Sequence, residues 1–424
     1  MRILVDANIP LAEELFGALG DVTLAPGREV TADFPGLDGF DILAIRSVTK
    51  VNGALLDRAA GLRVLATATI GTDHIDLDAV REAGRRRRQP ITVISAPGSN
   101  AESVADHIWY ALAYLTRDAR APFAGMTLGI VGHGNCGSRV ARRAAGFGMK
   151  VLRHDPPLAE REPDFSSDPL DDVLAADFVT LHVPLTKADE SENPTFHMIG
   201  TAELARMRLR AYLLNSSRGA VVDSAALIKA LKTGAIAGAV LDVYEGEPEP
   251  VPELISLPVL ATPHIAGYAV EAKRRGATAI YEQICSVLGV EPQDTRPLLM
   301  RGFDPRKGVE VRFGSDGPLT SGERPADRAL LADDAVRRLL AAVHDVAAVS
   351  RELKATLSLE RRGKVFDKMR RDYESEYARH ELACYRVGCD DTVGPELRAE
   401  IEKRLAGFGI VITEDSPDYV LTLR

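Results

Sequence analysis

Cysteine is scarce in this chain of 424 residues: there are four, Cys136, Cys285, Cys384 and Cys389. They are too few and too scattered for a disulfide framework, and they lack the paired spacing of a zinc site. A reduced, cytosolic setting without a metal is the expectation. Positive charge is also in deficit, with 52 Lys and Arg against 61 Asp and Glu, a net charge of −9. This balance disfavours broad capture of nucleic acid or an anionic membrane, so an anionic ligand has to be met by a local basic cluster. No stretch approaches the roughly 18 uninterrupted apolar residues of a membrane span. The opening Met1-Arg-Ile-Leu-Val-Asp runs directly into a strand-like segment, without the basic head and apolar region of a signal peptide. Internal repeats and low-complexity tracts are missing too, apart from the arginine run 85–88, which reads as a solvated loop.

What remains is an ordinary globular composition, 46% hydrophobic and 27% charged, long enough for two to four domains. Strand-like and helix-like runs alternate from the start: 3–5, 12–19, 42–45, 55–60, 64–68 and 91–94. Such alternation predicts βαβ units and a parallel sheet. One long helix is expected over 99–119, with Ser99 or Asn100 as its cap and Val104, Ile108, Ala111 and Leu115 on one apolar stripe. A second, more regular alternation runs from Thr127 to Thr262, and another long helix, 269–288, follows it. The Pro-, Gly- and Arg-rich stretch 292–327 reads as an irregular crossing. Beyond it the texture changes: helical over 330–357 and 395–407, strand-like over 382–387, 410–413 and 419–423.

The segment Thr127-Leu-Gly-Ile-Val-Gly132-His-Gly134-Asn-Cys-Gly137 sets a G-x-G-x-x-G pattern directly after an apolar strand and at the head of a helical run. In that context Gly132 serves a tight turn, Gly134 admits a pyrophosphate close to the backbone, and Gly137 allows close helix packing. Asp155 stands 18 residues beyond Gly137, after the next strand. A carboxylate there bonds ribose hydroxyls and repels a 2′-phosphate, which favours NAD over NADP. Arg153 and Arg161 are the neighbouring cations that argue the other way.

Three further strand ends carry candidate chemistry: Leu213-Leu-Asn-Ser-Ser-Arg218-Gly219, Val240-Leu-Asp242-Val-Tyr-Glu-Gly-Glu247-Pro248 and Thr262-Pro-His264-Ile-Ala-Gly267-Tyr268. Consecutive strand ends of an open α/β sheet converge on one crevice. The three segments resemble those of the D-isomer-specific 2-hydroxyacid dehydrogenases, with the same spacings, over roughly residues 1–290. The resemblance implies His264 as general acid/base, Glu247 as its partner, and Arg218 as the group that holds the substrate carboxylate. It further implies Val183, Ser216, Ser217, Arg218, Asp242 and Gly267 as NAD contacts. These roles are physically apt: an imidazole beside a carboxylate takes a hydroxyl proton, and a guanidinium fork matches a carboxylate. His74, His107, His133, His154 and His182 lack such company and read as structural or surface groups.

The first 100 residues narrow the branch. Met1 to Pro10, Arg46-Ser47-Val48-Thr49-Lys50 and Ala66-Thr67-Ala68-Thr69-Ile-Gly71-Thr72-Asp73-His74 resemble the family members that oxidise a small phosphorylated 2-hydroxy acid. So does Val365-Phe366-Asp367-Lys368-Met369-Arg370-Arg371-Asp372-Tyr373 in the tail. The implied substrate contacts are Ser47, Thr69 and Tyr268. Arg46 and Lys50 add a local basic cluster fit for a phosphate in an otherwise acidic chain. Lys368, Arg370 and Arg371 are further cations that can bring charge from the tail, within one chain or across a dimer interface. Two departures stand out: Val183 occupies a position where relatives carry threonine, leaving only its backbone for NAD, and the loop 187–195 is longer.

The expected architecture is therefore α/β, with a Rossmann-type NAD domain (101–284) inserted in a flavodoxin-like substrate domain (1–100 and 285–300). A C-terminal α+β domain (301–424) is expected to make a homodimer. Another D-2-hydroxyacid dehydrogenase, one acting on 3-phosphoglycerate for example, shares every catalytic residue and is the nearest alternative. An NAD-sensing interaction protein is the alternative of a different class. It has no need to keep Arg218, Glu247 and His264 together.

Overall fold

The computed structural model describes residues 1–119, 121–299, 308–313, 325–377, 379–389, 393–413 and 420–423. The chain divides into two compact units, Met1–Asn100 with Ala269–Phe303, and Ala101–Tyr268 with Asp304–Arg424.

The first unit is built on strands β1 (Arg2–Asp6), β2 (Asp21–Ala25), β3 (Ile42–Ile45), β4 (Val64–Thr67) and β5 (Thr92–Ile94). They pair in parallel in the order β2-β1-β3-β4-β5, the flavodoxin-like winding. Strands β3 and β4 are buried along their whole length, and β1 beyond Arg2, because helices cover both faces. Ile3, Val5, Ile42 and Ala44 pack with Leu15, Phe16, Ile280 and Ile284. On the opposite face Leu4, Leu43 and Leu65 pack with Leu55, Leu56 and Val80. The helix Val270–Leu288 thus belongs wholly to this unit, which the chain re-enters at Ala269 and not at the expected residue 285. Its apolar stripe is matched to the first sheet.

The second unit contains β6 (Thr127–Val131), β7 (Lys150–His154), β8 (Phe178–Leu181), β9 (Tyr212–Asn215), β10 (Gly238–Leu241) and β11 (Leu260–Ala261). The order β11-β10-β9-β8-β6-β7 is parallel throughout and reverses direction between β6 and β8. The carboxyl ends of those two strands therefore flank a topological switch point, where open α/β sheets bind ligands. The helix Ala101–Leu115 packs behind this sheet, with Trp109 stacked on Phe147 at 4.6 Å and edge-on to Phe123 and Phe408.

The described part of the C-terminal segment clusters with this unit. Its strands β12 (Gly308–Phe313), β13 (Arg386–Cys389), β14 (Val411–Thr413) and β15 (Val420–Leu423) form a sheet ordered β14-β13-β12-β15. Every pair is parallel, a direction that the expected α+β texture left open. Buried hydrogen bonds tie the segment to the Rossmann part: the Ser350 hydroxyl accepts from the Ala261 amide of β11 at 2.9 Å, and Asp106 accepts from the Leu382 amide at 3.0 Å. Asp333 accepts from Arg404 and, at 2.6 Å, from the Phe123 amide, and Arg143 pairs with Asp106 at 2.6 Å. The helical stretch expected over 330–357 is two helices, Pro325–Val343 and Val346–Ala355, because Asp345 accepts from the Ala348 amide at 2.9 Å and starts the second. Among the described residues, no helix is long and apolar enough to cross a membrane.

Candidate functional site

In the second unit the parallel register sets the three chemistry-bearing segments side by side. Leu241 pairs with Asn215 on one side and with Ala261 on the other. The chain leaves these strands as Ser216–Arg218, Asp242–Glu247 and Thr262–His264. Asn215 shapes the first exit. Its buried side chain accepts from the Ser217 amide (3.0 Å) and hydroxyl (2.8 Å) and donates to the Arg218 carbonyl (2.9 Å). At Gly219 a β-carbon would run into the Tyr244 carbonyl and the Glu245 amide, so only glycine lets the Arg218 turn lie against the Tyr244–Glu247 loop.

The second and third exits meet through His264 and Glu247. His264 Nδ1 stands 2.8 Å from Glu247 Oε2, while Glu247 Oε1 accepts from the Tyr244 amide at 2.8 Å. Burial alone would push the Glu247 carboxyl up. The His264 and Arg370 charges, with the bonds from His264 and the Tyr244 amide, hold it below the usual carboxylate range. It is therefore an anion at neutral pH, with the imidazole fixed so that Nε2 is left to a substrate.

His264 has φ +57°, an uncommon conformation for a residue with a β-carbon. Asp242, 1% exposed, imposes it: Oδ1 accepts from the Ile265 amide (2.8 Å) and the Thr262 hydroxyl (2.6 Å), and Oδ2 from the Ala266 amide (2.8 Å). Behind this turn, the Tyr244 hydroxyl faces the Leu241 and Thr262 carbonyls at 3.0 and 2.9 Å. Arg379 donates to the Ala266 carbonyl at 2.6 Å. Gly267 and Tyr268 follow directly, both partly buried.

The glycine turn after β6 has the shape that a dinucleotide requires. Gly132 has φ +90°, and a β-carbon there would meet the His182 carbonyl at 2.6 Å and Val183 at 2.9 Å. A β-carbon on Gly137 would run into the Gly132 carbonyl, but Gly134 has open space above it. Asp155 accepts from the His133 amide at 2.7 Å and from the Leu158 amide at 3.0 Å, which ties the turn to the end of β7. Among the described residues, the buried Ser216 hydroxyl has no hydrogen-bond partner. This open cradle and orphaned hydroxyl fit an NAD held along Gly132–Gly137, Asp155 and Ser216. Gly134→Ala should consequently leave the melting temperature unchanged while weakening NAD binding on the order of tenfold, because its methyl group enters ligand space and no protein contact. Calorimetric titration with NAD checks this; unaltered affinity would place the pyrophosphate elsewhere.

In the first unit, Arg46 and Ser47 leave β3 where Thr69 leaves the adjacent β4, with Ile45 paired to Thr67. Arg46 Nε is held at 3.0 Å by the buried Asp6 carboxylate, so its guanidinium is oriented before any ligand arrives. Ser47 and Lys50 are exposed. Thr69 bonds Thr67 at 2.7 Å and the Gly71 carbonyl at 3.1 Å, and Thr67 in turn bonds His74.

Sequence reasoning did not single out Asn215, Tyr244, Asp6 or Arg379. Their signal is tertiary, apart from the place of Asn215 at a strand end before two serines. Of the tail cations, Lys368 and Arg371 turn outward to Asp372 at 3.1 and 3.0 Å, whereas Arg370 points inward to Glu247. Burial pushes His107 down to about 4 and His182 down to about 3, so both rings are neutral and structural. Among the described residues no cluster of His, Cys, Asp and Glu is arranged to hold a metal.

The NAD-binding domain of D-isomer specific 2-hydroxyacid dehydrogenases matches residues 99–266. Erythronate-4-phosphate dehydrogenase of Salinibacter ruber is 47% identical over 330 residues, 74% of this chain and 81% of that protein. The enzyme of that name from Sodalis glossinidius is 37% identical over 402 residues, 93% of this chain and 96% of its own. Among solved structures, the D-lactate dehydrogenase of Aquifex aeolicus, complexed with NAD and lactic acid, has a TM-score of 0.55 at 27% identity. It matches 68% of this chain and 96% of its own. The 2-hydroxyacid dehydrogenase of Ketogulonicigenium vulgare gives 0.56 at 25% identity, over 69% and 96%. The chain belongs to the erythronate-4-phosphate dehydrogenase family, within the NAD-dependent D-isomer-specific 2-hydroxyacid dehydrogenases.

Proposed function

We propose that this protein oxidises 4-phospho-D-erythronate to 2-oxo-3-hydroxy-4-phosphobutanoate with NAD, a step towards pyridoxal 5′-phosphate. The observation that carries the chemistry is the 2.8 Å bond between His264 Nδ1 and Glu247. It leaves Nε2 as a base for the C2 hydroxyl proton, and the Glu247 anion stabilises the imidazolium that results. Bound NAD supplies the acceptor for the C2 hydride. Arg218 holds the substrate carboxylate and polarises the C2 oxygen. Arg46, Ser47, Lys50, Thr69 and Tyr268 take the phosphate and remaining hydroxyls. The Asp6–Arg46 pair supports this, since a preset guanidinium loses little freedom on meeting a phosphate. On the cofactor side, Gly132, Gly134, Gly137, Asp155, Val183, Ser216, Ser217 and Gly267 line the NAD, while Asp242 shapes the turn that faces it.

The protein acts in the cytoplasm as a homodimer formed through the segment 301–424. The solved relatives named above fill nearly their whole length with about two thirds of this chain, so the surplus needs a separate purpose. A substrate panel tests the activity by NADH formation from 4-phosphoerythronate, 3-phosphoglycerate and D-lactate. Turnover is expected to be at least tenfold faster on the first. Preference for D-lactate would remove the phosphate site, and preference for 3-phosphoglycerate would move the protein to a sister reaction.

A further inference from the structure

The tail sequence Val365–Tyr373 lies on the helix Arg362–Tyr377, and its buried residues share one face. Phe366 and Tyr373, each 2% exposed, are seven residues apart. Arg370, four residues after Phe366, falls on the stripe between them. Phe366 packs edge-on against Tyr244 at 5.9 Å, and Tyr373 faces Tyr268 at 6.4 Å. The helix is thereby docked on the Glu247 loop at one end and the His264–Tyr268 turn at the other. A cation on such a face is costly unless its charge and N–H groups find partners. Arg370 finds its charge partners in the site: its guanidinium lies 3.9 Å from Glu247 Oε2 and beside the Tyr268 hydroxyl, while its Nε is buried without a hydrogen-bond partner among the described residues.

We propose that Arg370 is a positioning residue for the dehydrogenase reaction, fixing the Tyr268 hydroxyl for the substrate and setting the proton affinity of the Glu247–His264 pair. This rests on the reading of that pair as the acid/base. The groups against the pair are Arg370 and Tyr244, with Tyr268 beside Arg370 and Asp242 behind the turn. Burial opposes the charge on Arg370, but Tyr268, Glu247 and Asp242 hold its pKa above the usual value, so it stays a cation. A fixed cation beside Glu247 weakens the grip of the pair on a proton. It therefore keeps the imidazole free to accept one at lower pH.

The test compares Arg370→Met and Arg370→Lys with the unaltered enzyme. In the Met variant, KM for 4-phosphoerythronate should rise on the order of tenfold, with KM for NAD unchanged. The acid limb of kcat/KM should move up by roughly half to one pH unit. Lys keeps the charge but not the fork, so the acid limb should return while KM stays raised. NMR titration of the His264 ring in the free protein should show the same upward movement in the Met variant without any turnover. Unchanged KM and unchanged titration in a folded Met variant would overturn the proposal. So would equal losses in Met and Lys that track a lowered melting temperature, which mark a purely structural role. Failure of the functional reading is separate: the unaltered enzyme would then turn over no 2-hydroxy acid, while the titration still decides the role of Arg370.

Discussion

His264→Ala should lower kcat by about three orders of magnitude while leaving NAD affinity within about twofold, as expected for loss of a general base. The half-buried ring is anchored through Nδ1 to Glu247 and, among the described residues, makes no bond like those of His107 and His182. Its removal therefore subtracts proton transfer and little else. Neither His107 nor His182 can replace it. His107 is buried and neutral and lies 3.4 Å from the Thr262 hydroxyl, and His182 bonds Thr180 at 3.0 Å. Burial keeps both rings neutral, the His107 Nδ1 included, which is buried without a partner among the described residues, so neither takes a proton near neutral pH. Stopped-flow measurement of NADH formation, paired with calorimetric NAD titration, separates the two effects. A variant with normal turnover would take His264 out of the chemistry and leave the Glu247 bond as a mere turn brace.

The legible parts of this protein were those in which a strand end carries its chemistry in sequence. Gly132–Gly137, Asn215–Gly219, Asp242–Glu247 and Thr262–His264 each follow a short apolar run, and parallel pairing alone brings them to one edge. The illegible parts depend on partners far along the chain. Strand β2 is an edge strand with three of its five residues exposed, so it lacks an apolar run. Strand β12 lies inside the Pro- and Gly-rich crossing 292–327, where composition argued for irregular backbone. Arg370 was visible only as one of a basic group, because its distinction from Lys368 and Arg371 is the helix face on which it falls. The role of Asp242 differs in the same way. The resemblance points its carboxylate at the cofactor, whereas the structure shows three bonds to the turn that carries His264.

Those three bonds make Asp242→Asn the most informative change for stability. The substitution keeps the shape of the side chain but replaces one oxygen with a donor. If the amide nitrogen takes the place of Oδ2, it faces the Ala266 N–H; if it takes the place of Oδ1, it faces the Ile265 N–H. Either way a buried backbone donor loses its acceptor, which costs about 1–3 kcal/mol, more where the lost acceptor was charged. The same bonds hold His264 at φ +57°, a conformation that costs a further ~1–3 kcal/mol unless its surroundings impose it. The expected outcome is a loss of about 2–4 kcal/mol in urea unfolding. A fall in kcat of at least about a hundredfold should accompany it, since small misplacements of a catalytic group cost that much. Intact stability and kcat with weakened NAD binding alone would reverse the assignment and give the carboxylate to the cofactor. Loss of all three together would show one buried carboxylate setting both the turn and the surface that the cofactor meets.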